Sequence, residues 1–290
     1  MSEGGKAPIN PKLALGLGIA AVSTASILIR LSSSHPFVIA GYRMVFSSIM
    51  MALLSIRSLG ELKSLTRREF WTLLISGVAL ALHFGSWTTS LFYTSVAAST
   101  VIVDSSPIFV VLISWAFLKE RTNLREILGI VIALLGAVLI ALGHSSLELN
   151  LLGDFLAFIG SVSLAIYLVA GRRLRRKLGL GSYTTFVYGL SGVLLLTIAH
   201  LWGIPLTGYP LREYAIFIAL ALFPTGFGHN SYNYALKYLK TSIVSVSILG
   251  EPIGASILAA IVLGELPRVS TVVGGAITLL GIYLTVSQSE

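Results

Sequence analysis

The chain has 290 residues, of which 55% are hydrophobic and only 11% charged, with a net charge of +8 and a mean hydropathy of +0.89. A soluble domain carries roughly 25% charged residues, so this composition excludes a water-soluble globular fold and points to an all-α integral membrane protein. Cysteine is absent, which excludes disulfides and thiolate metal sites.

Apolar runs of about 20 residues, the length of helix that crosses about 30 Å of hydrocarbon, predict ten transmembrane helices in chain order: 12–31, 36–56, 70–91, 95–118, 123–143, 151–171, 182–202, 213–235, 242–263 and 269–287. The first run follows Lys6 and Lys12 but lacks a small-x-small cleavage site before a polar mature chain, so it reads as a span and not as a signal peptide. With the N-terminus inside, sixteen Lys and Arg residues fall on the cytoplasmic side, including Arg57, Arg67, Arg68, Lys119, Arg121, Lys240 and the run Arg172 to Lys177. Arg30, Arg212 and Arg268 face outward, and Arg43 lies within a span. This positive-inside bias predicts that both termini are cytoplasmic. It also makes topology the reason for the basic charge, so no nucleic-acid partner is expected and anionic lipid is the natural neighbour of residues 172–177.

Shifted by 145 residues, the fourth and fifth spans fall on the ninth and tenth. Pro107 meets Pro252, Glu120 meets Glu265, Gly129 meets Gly274 and Gly136 meets Gly281. The chain therefore reads as a duplication, residues 1–146 and 147–290. Five spans per copy is an odd number, so the second copy enters the membrane inverted relative to the first, the plan on which alternating-access transporters are built.

The segments YTSVAASTVIVDSSPIFVVLISWAFLKER and GIVIALLGAVLIAL in the first half, with VSVSILGEPIGASILAAIVLGE and GGAITLLGIYL in the second, resemble the ten-span EamA branch of the drug/metabolite transporter (DMT) superfamily. The resemblance covers nearly the whole chain. It implies a basket of ten helices around a central cavity lined mainly by spans 1, 3, 4, 6, 8 and 9, and a carrier of small metabolites, commonly an exporter of amino acids.

A charge near the middle of a bilayer helix costs at least ~2.5–3.5 kcal/mol and so needs a partner, water or a function. Glu251 directly precedes Pro252, which bends its helix; it is either a protonatable group serving substrate or coupling, or a structural carboxylate bonded to Ser245 or Ser247. Asp104 stands three residues before Pro107 at similar depth and reads as a pocket residue. Arg43 either takes a substrate carboxylate bidentately or acts as an internal counter-charge or a snorkelling side chain. His83 and His229 lie one residue off the repeat offset, and Pro224, Gly226 and Gly228 loosen the helix before His229. Asn230, Tyr232 and Asn233 add polar groups there, and Trp87 and Tyr167 could form aromatic walls.

Other patterns are weaker. GLGIAA at 16–21 matches a dinucleotide fingerprint but lies in a span with no strand before it. Gly129, Ala133, Ala137 and Ala141 form a small-residue stripe suited to helix packing or to a homodimer face. No catalytic or metal-ligand set is recognisable, so neither an enzyme nor a cofactor is expected. The sequence thus predicts a secondary transporter in a prokaryotic plasma membrane, with Asp104, Glu251, His83, His229, Trp87, Asn230, Tyr232, Tyr167 and Arg43 binding a small-molecule substrate, an amino acid as first choice, and Pro107 and Pro252 as hinges. The alternatives are a cationic-drug, nucleoside or nucleotide-sugar carrier and a passive solute channel.

Overall fold

A computed structural model describes residues 7–142, 150–263 and 267–287. Glu265, the proposed repeat mate of Glu120, lies outside the described residues. Ten helices have the length and hydropathy to cross a membrane: α1 (Pro11–Leu31), α2 (Pro36–Leu54), α3 (Arg67–Ser90), α4 (Ala98–Leu118), α5 (Leu124–Leu142), α6 (Leu151–Arg175), α7 (Leu180–Leu201), α8 (Leu211–Ala235), α9 (Thr241–Leu258) and α10 (Val269–Val286). No strand occurs among the described residues. The expected spans are all present, with ends shifted by a few residues.

Local chemistry explains the ends. Asn10 and Asn150 accept backbone N–H groups at the starts of α1 and α6, and Thr66 with Glu69 forms a reciprocal capping box at the start of α3. The helix α6 runs past its expected end through Arg172, Arg173 and Arg175. Basic side chains suit a helix C-terminus, where they face the negative end of the dipole. A short 3₁₀ helix, Leu59–Ser64, follows α2.

Four spans are broken within their length. In α4 the helix Val96–Asp104 stops at Ser105 and restarts as Ser106–Leu118, with Pro107 in its first turn. In α9 the helix Thr241–Ile248 gives way at Leu249 and Gly250, and restarts at Glu251 with Pro252 next. These two breaks sit where the paired prolines predicted them. In α1 the break at Ser23 and Thr24 has no proline, and in α8 residues Ala221–His229 form a π-helix around Pro224. The α1 break carries no sequence signal beyond two hydroxyl residues that hydrogen-bond to carbonyls of the preceding turn, Ser23 to Ile19 at 2.8 Å and Thr24 to Ala21 at 2.7 Å.

Packing follows the duplication. The helix α5 packs along α10 and α2 along α7, each with its own repeat mate. The pairs α3 with α6 and α8 with α1 are likewise exchanged by the repeat. Loops collect at two ends. At the end carrying the termini, Lys177 pairs with Glu69 at 2.7 Å, and Ser182 donates to the carbonyl of Ser58. At the opposite end the Glu213 carboxylate is held by the hydroxyls of Ser32, Ser33 and Ser34, and Thr94 donates to Asp154 at 2.8 Å.

The crossing of α5 and α10 is close because small residues line both helices. A Cβ on Gly136 would lie 2.4 Å from the Thr278 nitrogen, and one on Gly281 would lie 2.3 Å from the Ala133 nitrogen. The stripe of Gly129, Ala133 and Ala137 is consequently buried inside the molecule against α10, and it does not offer a dimer face. Large apolar side chains such as Trp115, Phe117 and Leu135 point outward instead, as a lipid-facing belt requires.

A test of this crossing is Gly281→Val, which we expect to destabilise the protein by about 1–3 kcal/mol, the usual range for overpacking. Gly16→Ala, where an added Cβ meets nothing within 4 Å, serves as control. Melting curves in detergent should show a drop for the first and none for the second.

Candidate functional site

The helix breaks converge on a central cavity lined by Val22 from α1, Arg43 from α2, His83 and Trp87 from α3, Thr100, Val103 and Asp104 from α4, Leu164 from α6, His229 and Tyr232 from α8, and Ile248 and Glu251 from α9. Arg43, His83, Trp87, Asp104, His229, Tyr232 and Glu251 are thus brought together as expected. Asn230 and Tyr167 are not part of the lining. The space open to a water's centre is about 20 Å³, and a cavity needs roughly 10–15 Å³ by that measure to hold one water. No organic solute fits, so this conformation is closed.

Arg43 is 1% exposed, which removes the snorkelling reading. Its Nε donates to Thr225 Oγ1 at 2.7 Å and its guanidinium carbon lies 4.3 Å from the centre of the Phe84 ring, a cation–π distance. Both Nη atoms are buried without a hydrogen-bond partner, and so are Trp87 Nε1, Asp104 Oδ2, His229 Nδ1 and Tyr232 Oη. Native interiors leave few such atoms. Those on Arg43, Trp87, Asp104, His229 and Tyr232 surround one void, so a polar occupant there would have donors and acceptors to meet.

His83 Nδ1 donates to the carbonyl of Gly160 at 3.0 Å, which leaves Nε2 as the acceptor of the neutral ring. The ring stacks on Trp87, with centroids 6.0 Å apart and planes 7° apart. His229 lies 6.5 Å from His83 and 5.2 Å from Phe84, centroid to centroid. Glu251 is not held by the serines of its own helix. Ser245 donates to the Ser242 carbonyl and Ser247 to the Ile243 carbonyl, whereas the backbone oxygen of Glu251 accepts from Ser23 at 3.2 Å. No ion pair within 4.0 Å joins Arg43 to Asp104 or Glu251 among the described residues. No cluster of three or more metal-ligating side chains occurs among them either.

Asn230 and Tyr167 belong to a second buried network, further toward the end that carries the termini. Asn233 Nδ2, with two hydrogens to give, has Tyr167 Oη at 2.5 Å, the carbonyl of His229 at 2.9 Å and Tyr188 Oη at 3.1 Å, and Tyr188 donates to Asn230 at 2.9 Å. These polar groups bond mainly to one another, with Asn233 Oδ1 left open, and they are packed and buried between the cavity and that end. Beyond them, Glu120 joins three elements. It accepts from Arg172 at 2.8 Å and from the backbone and hydroxyl of Thr241 at 3.0 and 3.1 Å, which ties the α4–α5 connection to the end of α6 and the start of α9.

Thr225, Phe84, Thr100 and Tyr188 were not legible as site residues. Threonine and phenylalanine inside apolar spans are indistinguishable from packing residues until their neighbours are known.

The profile of the EamA-like transporter family matches the chain twice, over residues 12–142 and 151–287. The chain belongs to this family. An uncharacterized transporter from Archaeoglobus fulgidus is 28% identical over 286 residues, covering 96% of this chain and 97% of the relative. The uncharacterized transporter YdfC of Bacillus subtilis is 26% identical over 66% of this chain and 62% of its own length. A probable terminal-alkyne amino-acid exporter from Streptantibioticus cattleyicolor is 26% identical over 64% of this chain and 62% of its own. A solved structure described as a crystal structure of a protein aligns with a TM-score of 0.81 at 17% identity, over 96% of this chain and 97% of that one, which shows the shared fold. This EamA-like protein is accordingly a multi-pass membrane transporter and not an enzyme, with the two-repeat architecture of its family. Its cavity includes one helix, α2, that the resemblance had left out, because Arg43 reaches in from it.

The Glu120 junction has a defined pH dependence. Burial alone would raise the Glu120 pKa, but hydrogen bonds from Arg172 and Thr241 and the Arg172 charge outweigh it and hold the group below the usual carboxylate value. A depressed folded-state pKa contributes stability above the unfolded-state value, and that contribution is lost as pH falls through the folded value. The melting temperature of the unaltered protein should therefore exceed that of Glu120→Gln at neutral pH, with the gap closing as the medium is acidified below the ordinary carboxylate range. A gap that stays constant with pH would show that the charged form of Glu120 is not what stabilises this junction.

Proposed function

We propose that this EamA-like transporter exports amino acids from a prokaryotic cell across the plasma membrane by alternating access, with both termini cytoplasmic. The repeats 1–146 and 147–290 rock about the central cavity, and the breaks beside Pro107 and Pro252 act as flexure points. The observation that carries the reading is the pairing of opposite unsatisfied charges in one void. Arg43 offers two free Nη donors and Asp104 a free carboxylate oxygen, with Glu251 on the same lining. A zwitterion answers both, its carboxylate bidentate on Arg43 and its ammonium on Asp104 and Glu251. Trp87, His83 and Tyr232 supply aromatic surface for a side chain. The relative named as a probable amino-acid exporter supports the same class.

In the mechanism, the closed void must expand to admit substrate, which requires one of the two plugged ends to part. Opening toward the termini separates the Glu120 junction and the Tyr167–Tyr188–Asn233 network. Opening toward the other end separates Glu213 from Ser32, Ser33 and Ser34. Substrate bound between Arg43 on one repeat and Glu251 on the other favours closure because it bridges the halves. A second reading, an organic-cation carrier, draws on the excess of acids, two carboxylates against one guanidinium on the lining, and on the aromatic walls.

Purified protein in proteoliposomes, preloaded with unlabelled amino acid, should accumulate the labelled one by counterflow, with saturation that separates a carrier from a channel. Arg43→Gln and Asp104→Asn are each expected to reduce amino-acid flux by at least about ten-fold, the effect of losing one charge-assisted hydrogen bond in a water-poor site. Flux of organic cations that survives Arg43→Gln, with no amino-acid flux in the unaltered protein, would replace the first reading by the second.

A further inference from the structure

The π-helix in α8 has an identifiable cause and a consequence for Arg43. In a regular helix the carbonyl of Leu220 would accept from the N–H of residue 224, but Pro224 has none. The turn widens to Ala221–His229, and Thr225, one residue further on, donates its hydroxyl to that carbonyl at 3.1 Å. A hydroxyl has a single hydrogen, so Thr225 Oγ1 is then purely an acceptor toward its other neighbour, Arg43 Nε at 2.7 Å. Thr225 is completely buried. Ser47 reinforces the junction, donating to the Arg43 carbonyl at 2.7 Å with the Ala221 carbonyl 3.2 Å away.

A guanidinium presents its donors along two edges. With Nε engaged by Thr225 and one face against Phe84 at 4.3 Å, the plane of Arg43 is set. The edge formed by Nη1 and Nη2 is left without partners on the wall of the cavity. Pi-helical turns are uncommon and often occur at functional sites; among the described residues this is the sole one.

We infer that Thr225 is a positioning residue. By fixing Arg43 Nε it makes the paired Nη donors a preset receptor for a planar carboxylate, and it links that receptor, on the first repeat, to the π-turn of the second. The inference rests on the amino-acid reading for its substrate class, while the receptor for a carboxylate stands on the Arg43 geometry alone.

The test compares Thr225→Val, which keeps the shape and removes the hydroxyl, with Thr225→Ser, which keeps the hydroxyl. Transport in proteoliposomes uses L-alanine, L-threonine and L-leucine beside their carboxamides. Thr225→Val should raise KM for the acids roughly ten-fold, the scale of one charge-assisted hydrogen bond, with a smaller change in maximal rate. It should leave the amides nearly unaffected, and Thr225→Ser should behave as the unaltered protein. Equal shifts for acids and amides, or Thr225→Ser as impaired as Thr225→Val, would overturn the inference and leave only a packing role.

Acetate, read as a shift in melting temperature of the purified protein, repeats the comparison without amino-acid transport. Stabilisation by acetate that disappears in Thr225→Val supports the receptor even if no amino acid is carried, in which case the amino-acid reading alone falls. Amino-acid flux abolished by Arg43→Gln but indifferent to Thr225→Val, with acetate stabilisation equally indifferent, does the reverse.

Discussion

Hydrocarbon offers no hydrogen bonds, so each backbone group in a membrane span must be satisfied by the protein or by water that the protein admits. That constraint organises this molecule. The helices α2, α3, α5, α6, α7 and α10 satisfy it by being continuous. The helices α1, α4, α8 and α9 break, and their breaks are tolerated because they sit together around a polar void. Short-range hydroxyl bonds supplement the backbone bonds at three of these breaks: Ser23 on Ile19, Thr24 on Ala21, Ser105 on Ile102 and Thr225 on Leu220. Several of the side-chain groups left unsatisfied, on Arg43, Trp87, Asp104, His229 and Tyr232, line the cavity. Others are scattered, on Ser106, Glu126, Thr185, Ser191 and Asn233, but only around the cavity do charged, imidazole, indole and phenol groups with open valences face one another.

The duplication supplies the scaffold, and divergence supplies the chemistry. At the same 145-residue offset Trp87 corresponds to Tyr232 and Phe84 to His229, so the aromatic walls are related by the repeat. Arg43 corresponds to Tyr188, Ser106 to Glu251 and Asp104 to Leu249, so the charges are not. A symmetric frame can exchange two equivalent closed ends, as alternating access requires. Under the proposed amino-acid reading, that asymmetric set of charges would give a bound solute one orientation within it. The close α5–α10 crossing sets Gly129 against Gly281 and Gly136 against Gly274, with the hydroxyls of Thr278 and Thr285 in the same contact.

Much of this was readable in one dimension. Span number and position follow from hydropathy, because the cost of exposing polar backbone to lipid leaves helices of one length as the solution. The breaks in α4 and α9 were announced by Pro107 and Pro252. The break in α1 was not, since Ser and Thr hydroxyls that donate to carbonyls of the preceding turn occur in unbroken helices too, and only the surrounding packing decides whether the helix bends. Among candidate site residues, the charged and imidazole side chains converged, because such groups inside a span have few places to go. Tyr167 and Asn230 did not join them. Their polarity is weak enough to be satisfied locally, and here it is, by Asn233 and Tyr188.

The sequence by itself determined that this protein spans a membrane ten times, that it is two copies of one five-helix unit, and which ionisable groups must be sheltered at the centre. These conclusions depend on composition, period and self-similarity, which are properties of the chain. Only the tertiary structure decided which of those groups meet, which are satisfied and which remain open. It showed that Arg43 is held by a threonine on a π-turn of the other repeat, that the small-residue stripe is consumed by α10, and that the cavity is shut. Hydrogen-bond satisfaction is a relation between residues far apart in sequence, and it has no value until the fold has chosen their neighbours.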